Sequence, residues 1–334
     1  MQIVRWADAD QAALEACCEV RQAAMRADDP AGPPMSMRRL RVWIEHPTAP
    51  TQTWYVPGET PGSAVGAYHL VLPDRQNRDQ AGLDILVHPG YRRRGIGVAL
   101  LRHAARQAAE DARSILRGSV IEGAAGEAFA RHRGGEPGLA DARRVLVVGK
   151  VPAGAVAALR DSAAKEAAGY SLVSWTGRTP DQYLAGFAAV SNALSDAPRD
   201  PGFEARTWDE QRIREHVDDQ RDLFGSRGYL IAALHSGTGE MAAISHVEVD
   251  PELPEWGYQL ITAVARQHRG HRLGLLTKAA MLDWLASAEP ALQRIVTWNA
   301  ASNEHMIAIN DTLGYELLEP QTRSYQVAVA DVLR

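Results

Sequence analysis

Two kinds of side chain in this sequence are placed to do chemistry together: arginines set among glycines, and carboxylates at the ends of apolar runs. The stretch Arg92-Arg93-Arg94-Gly95-Ile96-Gly97 is the densest of the first kind. Glycine lets a backbone approach a ligand closely, and guanidinium groups pair well with phosphate oxygens, so the stretch reads as a binder of a phosphorylated ligand. No Gly-Lys-Ser/Thr follows it, as a Walker A loop requires, and the G-x-G-x-x-G spacing of a dinucleotide turn is absent. Carboxylates able to take a proton from an amine are Asp84 and Glu122 on either side of this stretch, and Glu248 and Glu255 further on. Trp256 and Tyr258 beside the last two offer an aromatic and acidic rim for a cationic amine. Each of these groups also has an ordinary role open to it. A strand-end aspartate commonly bonds a neighbouring N–H, and a terminal glutamate commonly sits in water. His246 and His268 titrate in the right range for a base and equally serve as structural histidines.

The elements that position these groups follow from periodicity. Leu83–Val87 is a short apolar run and predicts a buried strand. Pro89 and Gly90 stop it. Val98, Leu101, Ala105 and Ala108 fall near a 3.6-residue period and predict a helix from the glycine turn to about Arg113. The unpaired N–H groups of its first turn, with the helix dipole behind them, complete an anion cradle. Before it come a strand at Gln2–Trp6, a helix capped by Asp8 or Asp10 and running to about Met25, a helix at Arg38–Glu45, and a hairpin of Thr53–Val56 with Ala64–Leu72. After it come a strand at Ser114–Ile121, a short helix at Gly126–His132 and a last strand at Arg143–Val148.

The pattern then restarts. Leu172-Val173-Ser174-Trp175 echoes Ile3-Val4-Arg5-Trp6. Helices at Pro180–Leu194, with Thr179 as cap, and at Gln211–Phe224 precede a hairpin of Tyr229–Leu234 with Met241–Val249. Leu260–Val264 is a strand, and Arg269-Gly270-His271-Arg272-Leu273-Gly274 opens a helix to about Ala286. Val87, Arg92 and Gly97 align with Val264, Arg269 and Gly274, each 177 positions on, which points to a duplicated unit. A further strand ends at Val296–Asn299, and Asn303 starts a helix that carries Met306, Ile309, Asn310 and Leu313 and stops at Gly314. The predicted fold class is α/β, a mixed sheet with helices on both faces, built twice. The expected division is 1–152, an alanine-rich linker helix within 153–168, and 169–334.

At 334 residues the chain is long for one core. A net charge of −5 argues against nucleic acid and suits a cationic amine. No apolar run reaches the roughly 18 residues of a membrane span. The adjacent pair Cys17 and Cys18 does not favour a disulfide and fits reduced thiols in a cytoplasm, with no metal site.

The run Arg92-x-x-Gly95-x-Gly97, preceded by Val87-x-Pro89-x-Tyr91, resembles the Q/R-x-x-G-x-G/A acyl-CoA loop of the GNAT superfamily of N-acetyltransferases. The segment from Asn303 through Met306 to Gly314 and Tyr315 is similar to that family's N-x-x-A/M-x-x-x-Y-x-x-x-G-F/Y, with Asn310 in the place of the usual tyrosine. The two-copy arrangement resembles mycothiol-synthase-like proteins. The resemblance implies two tandem GNAT domains that use acetyl-CoA as co-substrate, and direct transfer of its acetyl group to a primary amine of a small molecule in a ternary complex. It places the cofactor on Ile85, Leu86, Val87, Arg92, Arg93, Arg94, Gly95, Ile96 and Gly97 in the first copy. In the second it places it on Thr262, Val264, Arg269, Gly270, Arg272 and Gly274, with Asn299 and Asn303. Arg272 stands where the loop's first glycine is expected, and neither copy has the tyrosine that protonates the leaving thiolate. Asn310 joins Asp84, Glu122, Glu248 and Glu255 among candidate catalytic groups. Two other readings stay open: a non-catalytic CoA-binding module, and a protein lysine or N-terminal acetyltransferase.

Overall fold

A computed structural model describes residues 1–7, 10–152 and 154–334. Asp8, one of the two predicted caps, lies outside the described residues. The chain forms two compact units. Unit 1 comprises Met1–Asp141, Asp200–Glu204 and Glu319–Arg334, and unit 2 comprises Ala142–Arg199 and Ala205–Leu318. The division differs from the expected one at 152 and 168. Residues 142–168 pack within the second unit, and the end of the chain belongs to the first.

Unit 1 begins with β1 (Val4–Arg5), α1 (Gln11–Asp28) and α2 (Met37–Glu45). Asp10 caps α1 by accepting the Ala13 N–H at 2.9 Å, and Ser36 caps α2 by accepting the Arg39 N–H at 3.1 Å. The apolar sides of both helices, Leu14, Cys17, Cys18, Leu40 and Ile44, close over Ala67. Burial pushes the Cys17 thiol up to about 12 and the Cys18 thiol up to about 11, so both stay protonated and inert. Next come β2 (Thr51–Pro57), β3 (Ala64–Val71), β4 (Gln80–Val87), α3 (Ile96–Glu110), β5 (Ile115–Ile121), α4 (Ala125–His132) and the first half of β6 (Glu136–Val147). β1 to β4 run antiparallel in order, and β5 lies parallel to β4. On the face opposite α1, helix α3 buries Ile96, Leu100, Leu101, Ala104, Ala105 and Ala108 against Leu70, Ala81 and Leu116.

Unit 2 repeats the plan with α5 (Ala155–Glu166), β7 (Tyr170–Thr176), α6 (Asp181–Asn192), α7 (Glu210–Ile213), α8 (Gln220–Phe224), β8 (Arg227–His235), β9 (Met241–Val249), β10 (Trp256–Val264), α9 (Leu273–Ala288), β11 (Arg294–Ala300), α10 (Glu304–Thr312) and β12 (Glu316–Leu317). β7 to β10 are antiparallel, and β11 is parallel to β10. The predicted linker helix is α5. It packs on α9, where Arg160 pairs with Asp283. A π-helical segment, Arg214–Asp219, joins α7 to α8. It brings the buried carboxylate of Asp218 to Thr179, which donates to it from both its N–H (3.0 Å) and its Oγ1 (3.1 Å). Thr179 is therefore not the predicted cap, and α6 starts after Pro180 with no side-chain cap.

The chain ends with β13 (Thr322–Ala328) and α11 (Val329–Leu333), both in unit 1. β13 pairs antiparallel with β5 from Thr322 opposite Ile121 to Ala328 opposite Ile115, and with the first half of β6 on its other edge. It is absent from the sequence-based expectation. The short insert Asp200–Glu204 is bound into the same unit. Asp200 accepts from Arg117 Nη1, Ser324 Oγ and the Leu139 N–H, each at 2.6 Å.

Candidate active site

In unit 1 the glycine turn lies between β4 and α3. Arg93 (φ 64°) and Gly95 (φ 80°) both take the left-handed conformation, and α3 starts at Ile96 with no side chain capping its first N–H groups. Those uncapped N–H groups lie where the sequence places the anion cradle. Gly97 has a second reason to be glycine: a Cβ there would lie 3.3 Å from Cε2 of Phe129 on α4. Of the three arginines, Arg92 is held by bonds within the protein. Its guanidinium forms a two-pronged pair with Asp28 at 2.7 and 2.8 Å, and its Nε donates to the Val87 carbonyl at 3.3 Å. It braces the turn against the end of α1. Arg94 lies over the Tyr91 ring at 5.0 Å, and both Arg93 and Arg94 are exposed.

Below the turn the sheet opens. β4 and β5 pair only over Gln80–Gly82 and Ile115–Arg117. At Gly118 a Cβ would stand 2.5 Å from the Leu83 carbonyl, so no side chain fits there. A cavity of about 130 Å³ lies at this point. Leu83, Asp84 and Ile85 of β4 line one wall, Leu101 of α3 and Phe129 and Ala130 of α4 another, and Tyr325 of β13 a third. Along Leu83–Val87 the backbone pairs with β3 on one side only, which leaves the edge towards β5 without a strand partner among the described residues, its Val87 carbonyl taken by Arg92 Nε. Leu86 and Val87 lie on that edge without lining the cavity, while Ile85 does both.

Asp84 meets this cavity but is ion-paired with Arg21, whose guanidinium lies 4.4 Å from the Trp43 ring centroid. Burial pushes the Asp84 carboxyl up, but the charge of Arg21, with His69 and the Arg21 hydrogen bond, outweighs it and holds the group below the usual carboxylate range. His69, its cross-strand neighbour, bonds Thr53 Oγ1 through Nδ1 at 2.8 Å, and burial drives it down to about 3, so it is neutral. Asp84 is thus a fixed anion rather than a ready base. Glu122 does not line the cavity; it pairs with Arg323 at 2.7 Å. Tyr325 is the residue that sequence reasoning missed. Its hydroxyl donates to Glu127 at 3.0 Å, and Glu127 is held down to about 2 by the Gly123 N–H, Arg131 and Tyr325. The alternation of Tyr325 and Val327 was the available signal.

Unit 2 keeps the backbone of the turn and exchanges its residues. Gly270 (φ 89°) stands where Arg93 stands, and Arg272 (φ 54°) where Gly95 stands. A non-glycine residue in this conformation costs about 1–2 kcal/mol. Arg269, like Arg92, turns away, donating to Asp196 at 2.7 Å and to the Val264 carbonyl at 3.4 Å. Arg272 reaches Ser162 of α5 at 3.3 Å. Gly274 faces Ile309 as Gly97 faces Phe129, with Val264 also in contact. β10 bulges between Gln259 and Ile261, and the Gln259 amide spans the irregularity, donating at 2.8 Å to the carbonyls of His246 and Ile261. Thr262 Oγ1 is buried and has no hydrogen-bond partner among the described residues. Asn303 caps α10 by accepting the Met306 N–H at 3.3 Å, a structural role. Asn299 accepts from Asn310 Nδ2 at 2.8 Å, and Asn310 in turn accepts from the buried Lys278 ammonium at 2.7 Å.

The other acidic candidates of unit 2 are separated by the fold. Glu248 is buried, its Oε1 3.5 Å from His246 Nε2, and sits opposite Tyr258, on which Trp298 stacks at 6.4 Å. His246 is neutral, since burial draws it down to about 3. Glu255 lies in the turn before β10, where its carbonyl accepts the N–H groups of Gln293 and Arg294, and Trp256 is packed with Val145 and Val296. His268 bonds Tyr170 through Nδ1 at 3.0 Å.

A glycine turn at a helix start, above two parallel strands that part company, is an arrangement suited to holding a diphosphate and an extended arm. Residues 15–122 match the model of the acetyltransferase (GNAT) family. A tandem GNAT protein from the clavulanic acid biosynthesis pathway is 29% identical, with 98% of each chain covered and a TM-score of 0.77. A GCN5-related N-acetyltransferase from Sphaerobacter thermophilus shares the fold at 14% identity, with 98% of this chain and 95% of the other covered and a TM-score of 0.65. Comparison with curated proteins gives no match. The chain therefore carries the GNAT fold twice in tandem, with the family's matched segment in unit 1.

Proposed function

We propose that the protein transfers an acetyl group from acetyl-CoA to a primary amine of a small molecule, and that the reaction runs in unit 1. The observation that carries this reading is the cavity between β4 and β5, which begins where Phe129 backs the glycine turn. The first N–H groups of α3, with Arg93 and Arg94 beside them, would hold the diphosphate. The unpaired edge of Leu83–Ile85 offers N–H and C=O groups to the amides of the pantetheine arm. Bound there, the cofactor supplies an acetyl thioester open to attack by an amine. The chain's own part is alignment and exclusion of water, with Asp84 as a fixed negative charge at the cavity wall that attracts an ammonium. A small-molecule acceptor is supported by the tandem relative's place in a biosynthetic pathway and by the net charge of −5. Among the described residues no cysteine lines this cavity, which suits direct transfer from a ternary complex.

Incubation with acetyl-CoA and a panel of amines, followed by free thiol release, tests the reading. Thiol release with small primary amines is the expected result. Release only with polypeptides would replace it with a protein acetyltransferase, and tight CoA binding without release would replace it with a binding module.

A further inference from the structure

The two units place side chains of different size and charge at equivalent points. Two pairs of glycines fix the comparison. Gly97 and Gly274 each face one apolar side chain of the opposite helix, Phe129 and Ile309, at 3.3 Å from where a Cβ would be. Gly134 (φ 76°) and Gly314 (φ 89°) each end that helix in the left-handed conformation. Four residues after the first glycine stand Leu101 in unit 1 and Lys278 in unit 2. Four before the second stand Ala130 and Asn310, and directly after it Gly135 and Tyr315. Leu101, Ala130 and Gly135 all line the cavity of unit 1. Lys278, Asn310 and Tyr315 are only 1%, 0% and 3% exposed, and they hold one another. Lys278 Nζ donates to Asn310 at 2.7 Å and lies 4.7 Å from the Tyr315 ring centroid.

We infer that Lys278, Asn310 and Tyr315 fill in unit 2 the space that unit 1 leaves open for the thioester arm, so that the chain binds a single coenzyme A, in unit 1. This rests on the reading of the unit 1 cavity given above. An arm entering unit 2 would have to break the Lys278–Asn310 bond and leave an amine and an amide unsatisfied in a dry interior, which is costly. Burial alone draws the Lys278 ammonium down to about 7, as an enclosed site does. The turn above it agrees: Arg272 carries a side chain at the position that Gly95 leaves bare.

Calorimetric titration of the full-length protein with coenzyme A decides the matter, using wild type, Ala130→Leu and Arg93→Glu. Ala130→Leu fills the cavity of unit 1, and Arg93→Glu reverses an exposed charge that folding does not need. One site per chain is expected, lost in Ala130→Leu and weakened roughly tenfold in Arg93→Glu. Two sites per chain would overturn the inference and leave the reading of unit 1 standing. One site indifferent to both substitutions would place the ligand in unit 2 and overturn it as well. No binding at millimolar coenzyme A would instead overturn the proposed function on which it rests.

Discussion

Lys278 is an amine in a dry site, with Asn310 and the Tyr315 ring as its neighbours, and this makes stability depend on pH. Its ordinary value is 10.5 and its folded value about 7. Above 10.5 the group is neutral in both states. As pH falls from 10.5 to 7 the unfolded chain takes up a proton that the folded chain refuses, so stability drops; below 7 the loss levels off at roughly 5 kcal/mol as an upper limit. Urea unfolding of wild type and Lys278→Met between pH 6 and 10 should show a difference that shrinks in wild type's favour as pH rises. A difference flat across that range would remove Lys278 as the titrating group. Asp84→Asn is the matching experiment in unit 1. It leaves Arg21 without its ion partner, for a loss of about 1–3 kcal/mol. If Asp84 only attracts the ammonium, KM should rise about tenfold with kcat nearly kept; a fall in kcat of roughly a hundredfold or more would make it the base. The glycine turn was legible in the sequence because its conformation is local; Asn310 stood out by its position, but its bond to Lys278, 32 positions away, did not. That Arg92 belongs to Asp28, and Asp84 to Arg21, was not legible either, since those partners are 64 and 63 positions away and only the tertiary fold joins them.

Most elements were legible too, because α3 buries one side, α9 is apolar along most of its length, and β2 to β4 and β8 to β10 are rich in apolar residues. Three features escaped. The π-helical segment at Arg214–Asp219 has no sequence period of its own, and the bulge after Gln259 breaks an alternation that would otherwise hold. β13, Thr-Arg-Ser-Tyr-Gln-Val-Ala, has only Tyr325 and Val327 as large apolar residues, too few for a strand at a chain end to stand out. Its weight in the fold can be measured. Tyr325→Phe removes one hydrogen bond to Glu127 and should cost about 0.5–1.5 kcal/mol in thermal or urea unfolding. Tyr325→Ala also empties a buried site and should cost about 3–5 kcal/mol. Equal effects would mean that the ring does not pack as described.

For the chain as a whole, the duplication predicts two pieces separable near residue 152, and the contacts of unit 1 predict otherwise. A fragment of residues 1–152 lacks Asp200, which holds Arg117, Leu139 and Ser324, and lacks the strand between β5 and β6. It should show a broad, weakly cooperative melt, and adding a peptide of residues 319–334 should not restore a sharp one unless the 200–204 segment is present as well. A sharp melt from 1–152 alone would mean that these contacts are dispensable.

The pairing of β13 with β5 also sets an order of assembly. Glu122 meets Arg323, 201 positions later, so a ribosome finishes every residue of unit 2 before it releases the strand that unit 1 is waiting for. The first half to be translated is the last to be completed, and until then it presents unpaired strand edges, the kind of surface that nascent-chain chaperones cover.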